Sequence, residues 1–239
     1  LTLSAGANLT LVAVEQSGAK SPISLVNLTR NYLVPRSELV DIAAQVRVVH
    51  ASPDAPAVDA VLEDATKVAS ALTYGAASTY APTKAGSHTL TITSAGTTTP
   101  ALVTSPLALT GSGSYSVFVM GLAASPLGVV LQDFLGAPTA GNARLRIVHA
   151  SPDTVGLDVF QDDTATAAIT GLLYKSASAY LTVPAGAHTY KFNLTATANA
   201  ALPAQTLTLE AGKIYTAVVL GSSLAGAAKP LALNLITDR

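Results

Sequence analysis

The sequence predicts an all-β protein made of tandem antiparallel β-sandwiches, with two complete copies and one partial copy. Within its 239 residues, one pattern recurs at a spacing of about 100 residues, the size of a small sandwich domain. Apolar segments are short, rich in branched or aromatic residues and bounded by turn formers, as strands are. No segment keeps an apolar 3.6-residue period over three helical turns.

The repeat is clearest in one nine-residue segment, VRVVHASPD at 46–54, which returns as LRIVHASPD at 145–153. The later matches pair Asp59 with Asp158, Tyr74 with Tyr174, Tyr80 with Tyr180, and the string Ala-Gly-x-His-Thr at 85–89 with that at 185–189. Matches this long and collinear do not arise by chance. We therefore assign the first complete sandwich to residues 41–140 and the second to residues 141–239.

A third, partial copy precedes them. Residues 1–6 followed by Thr10 mirror residues 207–212 followed by Thr216. Residues 1–40 are therefore interpreted as the carboxy-terminal strands of a sandwich plus a linker, with the first two-thirds of that copy absent. Its strands are expected at about 1–3, 9–14 and 23–28. One short helix is expected over residues 37–44.

Strand predictions follow from local patterns. Threonine alternates with leucine or isoleucine where one face of a strand is buried, and continuous apolar runs mark other strands. In chain order, the predicted strands lie at 46–49, 89–93, 117–120, 207–209, 215–220 and 231–235.

Composition excludes several classes of protein. A net charge of −1 without a basic stripe argues against a nucleic-acid partner. The absence of cysteine excludes a disulfide scaffold and a thiolate nucleophile. No uninterrupted apolar run is long enough for a transmembrane segment, which needs about 18 residues or more. Only 11% of residues are charged and the mean hydropathy is +0.44, so some apolar surface is expected to meet another chain.

The string VRVVHASPDAPAVD at 46–59 resembles the opening signature of family 4397 among the domains of unknown function. The likeness covers both complete copies and, for the last part of the pattern, residues 1–30. It implies an immunoglobulin-like β-sandwich, often in tandem, in secreted or surface-anchored bacterial proteins. We therefore expect an extracellular or cell-surface location. The second copy departs from the pattern at residues 154–156, Thr-Val-Gly in place of Ala-Pro-Ala.

His50, Ser52 and Asp54 are the residue types of a nucleophilic triad. However, neighbours in a strand point to opposite faces, and Pro53 begins a turn. A strand-ending turn fixed by hydrogen bonds to backbone is the favoured interpretation. We expect no catalytic residues and no enzyme activity.

Two other sets of residues suit binding of a metal ion or of a sugar. His50, Asp54, Asp59 and His88 are suitable ligands for a divalent cation, but no two share one element at a chelating spacing. No metal site and no cofactor are predicted. Tyr74, Tyr80, Tyr174 and Tyr180 either line a sugar-binding face or cap a sandwich edge through bonded hydroxyls, and an aromatic content of 5% favours capping. The candidate end-loop residues are His50, Ser52, Asp54, Asp59, His149, Ser151, Asp153 and Asp158.

The leading functional hypothesis is a non-enzymatic extracellular structural protein, a subunit of a bacterial fibre, sheath or surface layer. Strands without sandwich partners invite pairing with another backbone, so self-association into a polymer is expected, with the sandwiches stacked end to end. The candidate subunit contacts are Leu1, Leu3, Leu9, Leu11, Val12, Val14, Ile23, Leu25 and Leu28. The alternative is a cell-surface binding or adhesion module that recognises a glycan or host ligand through loops at one sandwich end. A longer native chain that supplies the missing strands is the third possibility.

Overall fold

The computed structural model describes residues 9–14, 24–29, 43–104 and 106–239, with backbone alone for residues 9–14, 24–29 and 103. All regular structure in these ranges is β. None of the described residues belongs to a helix that could cross a membrane. The predicted all-β fold is confirmed.

The first two strands form a small sheet of their own. β1 (Leu9–Val14) and β2 (Ser24–Thr29) pair antiparallel, with Thr10 opposite Leu28. Among the described strands, neither pairs with any other. These two strands were predicted for the partial copy, while the third, near residues 1–3, lies outside the described residues.

The first repeat contains ten strands in two four-stranded sheets and one small pair. In chain order they are β3 (Ala43–His50), β4 (Val58–Leu62), β5 (Lys67–Leu72), β6 (Ala81–Lys84), β7 (Gly86–His88), β8 (Leu90–Ser94), β9 (Pro100–Val103), β10 (Leu107–Leu109), β11 (Ser114–Leu122) and β12 (Ser125–Asp133). The sheet orders are β12-β11-β3-β6 and β5-β4-β8-β9, with β10 beside β7.

The second repeat has the same plan in eight strands. They are β13 (Asn142–His149), β14 (Leu157–Gln161), β15 (Ile169–Leu172), β16 (Leu181–Pro184), β17 (Gly186–Leu194), β18 (Ala200–Leu209), β19 (Ile214–Leu220) and β20 (Ala232–Thr237). The sheets are β16-β13-β19-β20 and β15-β14-β17-β18. Here β17 and β18 run unbroken where the first repeat divides each into two strands.

Alternating strands build a separate core inside each sandwich. In β8, Leu90 and Ile92 are buried while Thr91 and Thr93 are partly exposed, as the alternation of the sequence predicts. Val117 of β11 packs into the same core. The second core uses equivalent positions of the repeat, with Tyr190 and Phe192 in the places of Leu90 and Ile92.

Two strand pairs depart from the predicted antiparallel arrangement. β3 lies parallel to β11, and β13 lies parallel to β19. Every other ladder between described strands is antiparallel. Between β3 and β11, and between β13 and β19, the chain passes through the opposite sheet. A long crossover connection of this kind lets two neighbouring strands of one sheet run in the same direction. The helix expected over 37–44 is wrong for Ala43 and Ala44, which begin β3; residues 37–42 lie outside the described residues.

A tyrosine near the start of each late strand fixes a neighbouring turn. The Tyr115 hydroxyl accepts a bond from the Thr110 amide at 3.0 Å, and the Tyr215 hydroxyl accepts one from the Glu210 amide at 3.2 Å. A tyrosine bonded to backbone a few residues upstream is a feature of immunoglobulin-like sandwiches, where it is called the tyrosine corner.

The two repeats pack through sheet faces, so the expected end-to-end stacking is wrong. A third apolar core joins them, with Val49 and Phe118 of the first repeat against Val148 and Val218 of the second. The physical reason lies in β11 and β19, which are buried on both faces along nearly all their length. Continuous apolar strands of this kind need cover on each side.

Candidate functional site

The interface between the repeats contains two buried arginines at equivalent positions. Arg47 and Arg146 lie within the apolar strands β3 and β13, and each is only 2% exposed. A buried charge is costly unless it is paired and hydrogen-bonded. The partner of each arginine is an aspartate from the other repeat: Arg47 pairs with Asp238, and Arg146 pairs with Asp133.

Two hydroxyls connect these pairs into a closed ring of hydrogen bonds. Ser116 accepts from Nε of Arg47 at 2.8 Å and donates to Asp133 at 2.7 Å. Thr216 accepts from Nε of Arg146 at 2.9 Å and donates to Asp238 at 2.7 Å. We call these six residues the interface ring; its members are Arg47, Ser116, Asp133, Arg146, Thr216 and Asp238, all buried.

Two tyrosines form hydrogen bonds to the aspartates of the interface ring. Tyr80 donates to Asp133 at 2.7 Å, and Tyr180 donates to Asp238 at 3.2 Å. Each aromatic ring also faces the arginine of its own repeat, with the Arg47 guanidinium 4.7 Å from the centre of Tyr80. These hydroxyls are bonded as the capping interpretation requires.

The charges of the interface ring are mutually stabilised. Burial is the largest single effect and lowers the pKa of Arg47. The opposing charges around it, that of Asp238 first, and the hydrogen bond to Asp238 together outweigh burial, so the pKa is raised overall. Burial beside the Asp133 carboxylate raises the pKa of Tyr80 well above its ordinary range. These interactions keep Arg47 charged and both tyrosines neutral, which suits a structural role.

The signature loop of each repeat, residues 50–59 in the first and 149–158 in the second, begins with a histidine that bonds to backbone. Nε2 of His50 donates to the Pro56 carbonyl at 2.9 Å, and its Nδ1 accepts from the Ser52 amide at 3.4 Å. His149 repeats the first bond, donating to the Val155 carbonyl at 3.1 Å. Burial lowers the pKa of both histidines, which favours the neutral form.

The aspartate of each signature loop fixes a neighbouring connection. Asp54 accepts from the Ala123 amide at 2.8 Å, at the turn between β11 and β12. Asp153 accepts from the Ser223 amide at 2.9 Å and from the hydroxyl of Ser222, after β19. These hydrogen bonds lower the pKa of Asp153 although partial burial opposes them.

Asp59 and Asp158 each hold two backbone positions with positive φ, one near the end of a strand and one in a turn. Asp59 accepts from the Ala71 and Gly96 amides at 2.7 and 3.0 Å. Asp158 accepts from the Gly171 and Ala196 amides at the same two distances. These backbone hydrogen bonds lower the pKa of both carboxylates.

The second signature loop keeps this geometry despite its different sequence. Thr154 is buried and its hydroxyl lies 2.7 Å from that of Ser151, which Ala55 of the first repeat cannot match. Gly156 leaves space for Thr195, whose Oγ1 would lie 2.8 Å from a Cβ at that position. The departure from the pattern is therefore a local repacking of the same loop.

The other two histidines lie in equivalent hydrogen-bond networks. His88 contacts Glu63 at 2.7 Å and the Lys84 carbonyl at 2.8 Å. His188 contacts Asp162 at 2.6 Å and the Pro184 carbonyl at 2.9 Å. The bond to Asp162 raises the pKa of His188.

The structure does not assemble the triad considered from the sequence. Both ring nitrogens of His50 face backbone groups, while the Ser52 hydroxyl lies 3.5 Å from Asp54. Nor do three or more His, Asp or Glu side chains of the described residues gather in a way that could hold a metal ion. The hydroxyls of Tyr74 and Tyr174 are buried without a hydrogen-bond partner among the described residues, so the bonded-hydroxyl interpretation fails for this pair.

The candidate subunit contacts lie in the amino-terminal region. Leu9, Leu11, Val12 and Val14 belong to β1, and Leu25 and Leu28 belong to β2. Leu1, Leu3 and Ile23 lie outside the described residues. Whether these side chains contact another subunit stays a prediction.

Sequence reasoning missed the interface ring. Its signal was present, because an arginine in the middle of an apolar strand occurs in both copies, in VRVVH and in LRIVH. The aspartates at the ends of the VLQD and LITD strings were the second half of the signal. Only the structure shows that these two pairs of residues meet.

Comparisons with known proteins give distant likenesses in structure. The Bacillus anthracis TIE protein is 10% identical with a TM-score of 0.25, covering 90% of this chain and 42% of that one. A leucine-rich repeat protein from Bacteroides thetaiotaomicron is 15% identical with a TM-score of 0.20, covering 75% of this chain and 26% of that one. Scores this low carry no argument about function. No curated protein matches the chain.

A family assignment comes from sequence. The profile of one family matches twice, over residues 44–160 and 145–239, and so spans both sandwiches. The resemblance seen in the signature strings is confirmed. The chain belongs to the family described as domain of unknown function, DUF4397.

Proposed function

We propose that the protein is a non-enzymatic structural subunit of an extracellular bacterial fibre, sheath or surface layer, joined to its neighbours by strand pairing through β1 and β2. One observation carries the proposal. Among the described strands, β1 and β2 form a sheet of two, whereas β11–β12 and β19–β20, their counterparts in sequence, each lie in a sheet of four. A two-stranded sheet alone is marginally stable, and an edge strand from another subunit would extend it.

The rest of the molecule supports a mechanical rather than a chemical role. The signature histidines and aspartates hold loops through backbone bonds, and the interface ring joins both sandwiches. The low charge of 11% also favours burial of surface against other subunits.

Deletion of residues 1–40 tests the proposal. We expect the intact chain to form large particles in light scattering and ordered polymers in negative-stain microscopy, and the shortened chain to remain small. A finer variant is Val12→Pro, which removes a backbone donor from β1, with Val12→Thr as the matched control that keeps it. Assembly that persists undiminished in the deletion variant would overturn the proposal.

The second candidate function is binding of a glycan or host ligand at the signature end of the molecule. It is favoured by four exposed apolar side chains at strand ends and in loops there: Leu122, Val155, Leu173 and Leu224. Ala123 and Ser223 bond to the signature aspartates, and Lys229 lies 5.5 Å from the ring of Tyr74, so the loops of both repeats adjoin. A glycan array with the intact protein and the variant Leu122→Ser with Leu224→Ser tests this function. The absence of binding by the intact protein would exclude it.

A further inference from the structure

A cleft opens between the two repeats beside one half of the interface ring. Its volume is about 1110 Å³. The first repeat lines it with Gln45, Arg47 and Tyr80, and the second repeat contributes Lys213 and the end of β20. Ligand sites occur preferentially at interfaces between domains, in clefts of roughly 300–1,000 Å³, and the volume of this cleft is slightly above that range.

The equivalent position on the other side of the interface holds different side chains. There Arg144 replaces Gln45, and Phe134 replaces Arg239. The Arg144 guanidinium lies 4.4 Å from the centre of the Phe134 ring and donates to the Gly136 carbonyl at 3.1 Å. Although the two repeats share the interface ring, the side chains beside it therefore differ between its two sides.

The cleft exposes the edge of a β-sheet. β20 pairs with β19 on one side and with no described strand on the other. The Asp238 amide donates to the Ile214 carbonyl, so the alternation of an antiparallel ladder turns the backbone groups of Leu235 and Thr237 away from β19. Leu235 and Thr237 both line the cleft. An edge of this kind accepts an extended chain through main-chain hydrogen bonds.

The charge at the cleft is positive. Lys213 and Arg239 are exposed there, and neither forms an ion pair within the part of the chain that the structure describes. Arg47 adds no net charge because Asp238 neutralises it. Two uncompensated cations beside a free sheet edge favour a ligand that carries carboxylates.

We propose that this cleft binds an extended acidic peptide by strand addition to β20. The peptide backbone pairs with Leu235 and Thr237, and its carboxylate side chains meet Lys213 and Arg239. The proposal goes beyond the self-assembly proposed above, because the ligand need not be a copy of this chain and β1 and β2 take no part.

Fluorescence anisotropy with labelled heptapeptides tests this site on the full chain. The probe alternates valine with glutamate. One control peptide has lysine for glutamate, and another keeps glutamate but has methyl groups on alternate backbone nitrogens. We expect the glutamate probe to bind saturably, about tenfold or more tighter than either control.

Protein variants separate the cleft from general charge effects. Lys213→Glu with Arg239→Glu should weaken probe binding about tenfold or more. The matched control, Lys175→Glu with Lys229→Glu, makes the same charge change beside Tyr174 and Tyr74 and should leave binding unchanged. The proposal is overturned if the glutamate probe does not bind, if the methylated peptide binds equally well, or if both protein variants behave alike. Retention of probe binding after deletion of residues 1–40 would distinguish this site from the assembly contact.

Discussion

The two repeats contribute equivalent residues to the interface ring, but the residues beside it differ between its two sides. Each contributes an arginine, a hydroxyl and an aspartate to the interface ring, so its chemistry is equivalent on both sides. Outside the interface ring the sides differ, since Phe134 and Arg144 stack on one side while the cleft opens on the other. The comparison teaches that the residues joining the sandwiches are constrained in both copies, whereas the rim beside them has diverged and is the place to look for a specific function.

Breaking either half of the interface ring should have the largest effect. Asp238→Ala leaves Arg47 buried without its partner, and Asp133→Ala does the same to Arg146. Each change is expected to lower the free energy of unfolding by about 3–5 kcal/mol. Urea unfolding followed by circular dichroism measures this loss. If only one of the two variants were destabilised, the equivalence of the two halves would be disproved.

The tyrosines should distinguish the two halves by a smaller amount. Tyr80 bonds to Asp133 at 2.7 Å, while Tyr180 bonds to Asp238 at 3.2 Å. Since bonds to charged groups contribute about 1.5–3 kcal/mol, we expect Tyr80→Phe to cost an amount in this range and Tyr180→Phe to cost less. The same unfolding experiment compares them. A larger loss for Tyr180→Phe would contradict this order.

The signature histidines should make the protein sensitive to acid. Burial lowers the pKa of His50 and His149 in the folded state, so the unfolded chain binds protons more readily. Their contribution to stability is complete above the ordinary pKa of about 6.5 and is lost as the pH falls below it, by at most about 1.4 kcal/mol per pH unit and histidine. Urea unfolding at about pH 7.5 and about pH 5.5 measures the loss, which His149→Gln should reduce.

His188 provides a control of opposite sign. Its bond to Asp162 raises its folded pKa, so its contribution is present below about pH 6.5 and is lost as the pH rises through the folded value. His188→Gln should therefore destabilise the protein more at the acidic pH than at the neutral pH. The reverse pattern would show that another group dominates the titration.

The smallest effects should be local, at the backbone amides that bond to Asp59 and Asp158. The repeats place alanine and glycine there in opposite order: Ala71 and Gly96 in the first, Gly171 and Ala196 in the second, all with positive φ. We expect Asp158→Ala to speed hydrogen exchange of the Gly171 and Ala196 amides while leaving global unfolding nearly unchanged. Asp59→Ala should act in the same way on Ala71 and Gly96. Unchanged exchange at these amides would show that the backbone keeps this conformation without the hydrogen bonds to the aspartates.

Local patterns were sufficient to predict much of each sandwich. Alternation of threonine with leucine or isoleucine predicted the buried face of β8, and Pro53 predicted the turn after His50. The contact between the repeats was not predictable in this way. The apolar run of β11 fits a strand buried on one face or on both, and only the presence of β19 and β13 on its far side decides between these.

The interface ring and the cleft depend on contacts that are distant in the sequence. Arg47 and Asp238 are separated by 191 positions, so no local pattern connects them. The cleft depends on which side chain follows each interface aspartate, phenylalanine in one repeat and arginine in the other. Neither residue predicts a cleft from its local sequence, and the difference between the two sides appears only when their structures are compared.

The length of chain between Arg47 and Asp238 has a consequence for biosynthesis. As the nascent polypeptide emerges in order, the first sandwich can close its own core long before Asp238 is available to neutralise Arg47. Until then the apolar outer face of β3 and β11 is bare and carries an unpaired cation, which makes the half-finished molecule a target for chaperones and proteases. Synthesis of β20 and Asp238 completes the interface ring and covers that surface.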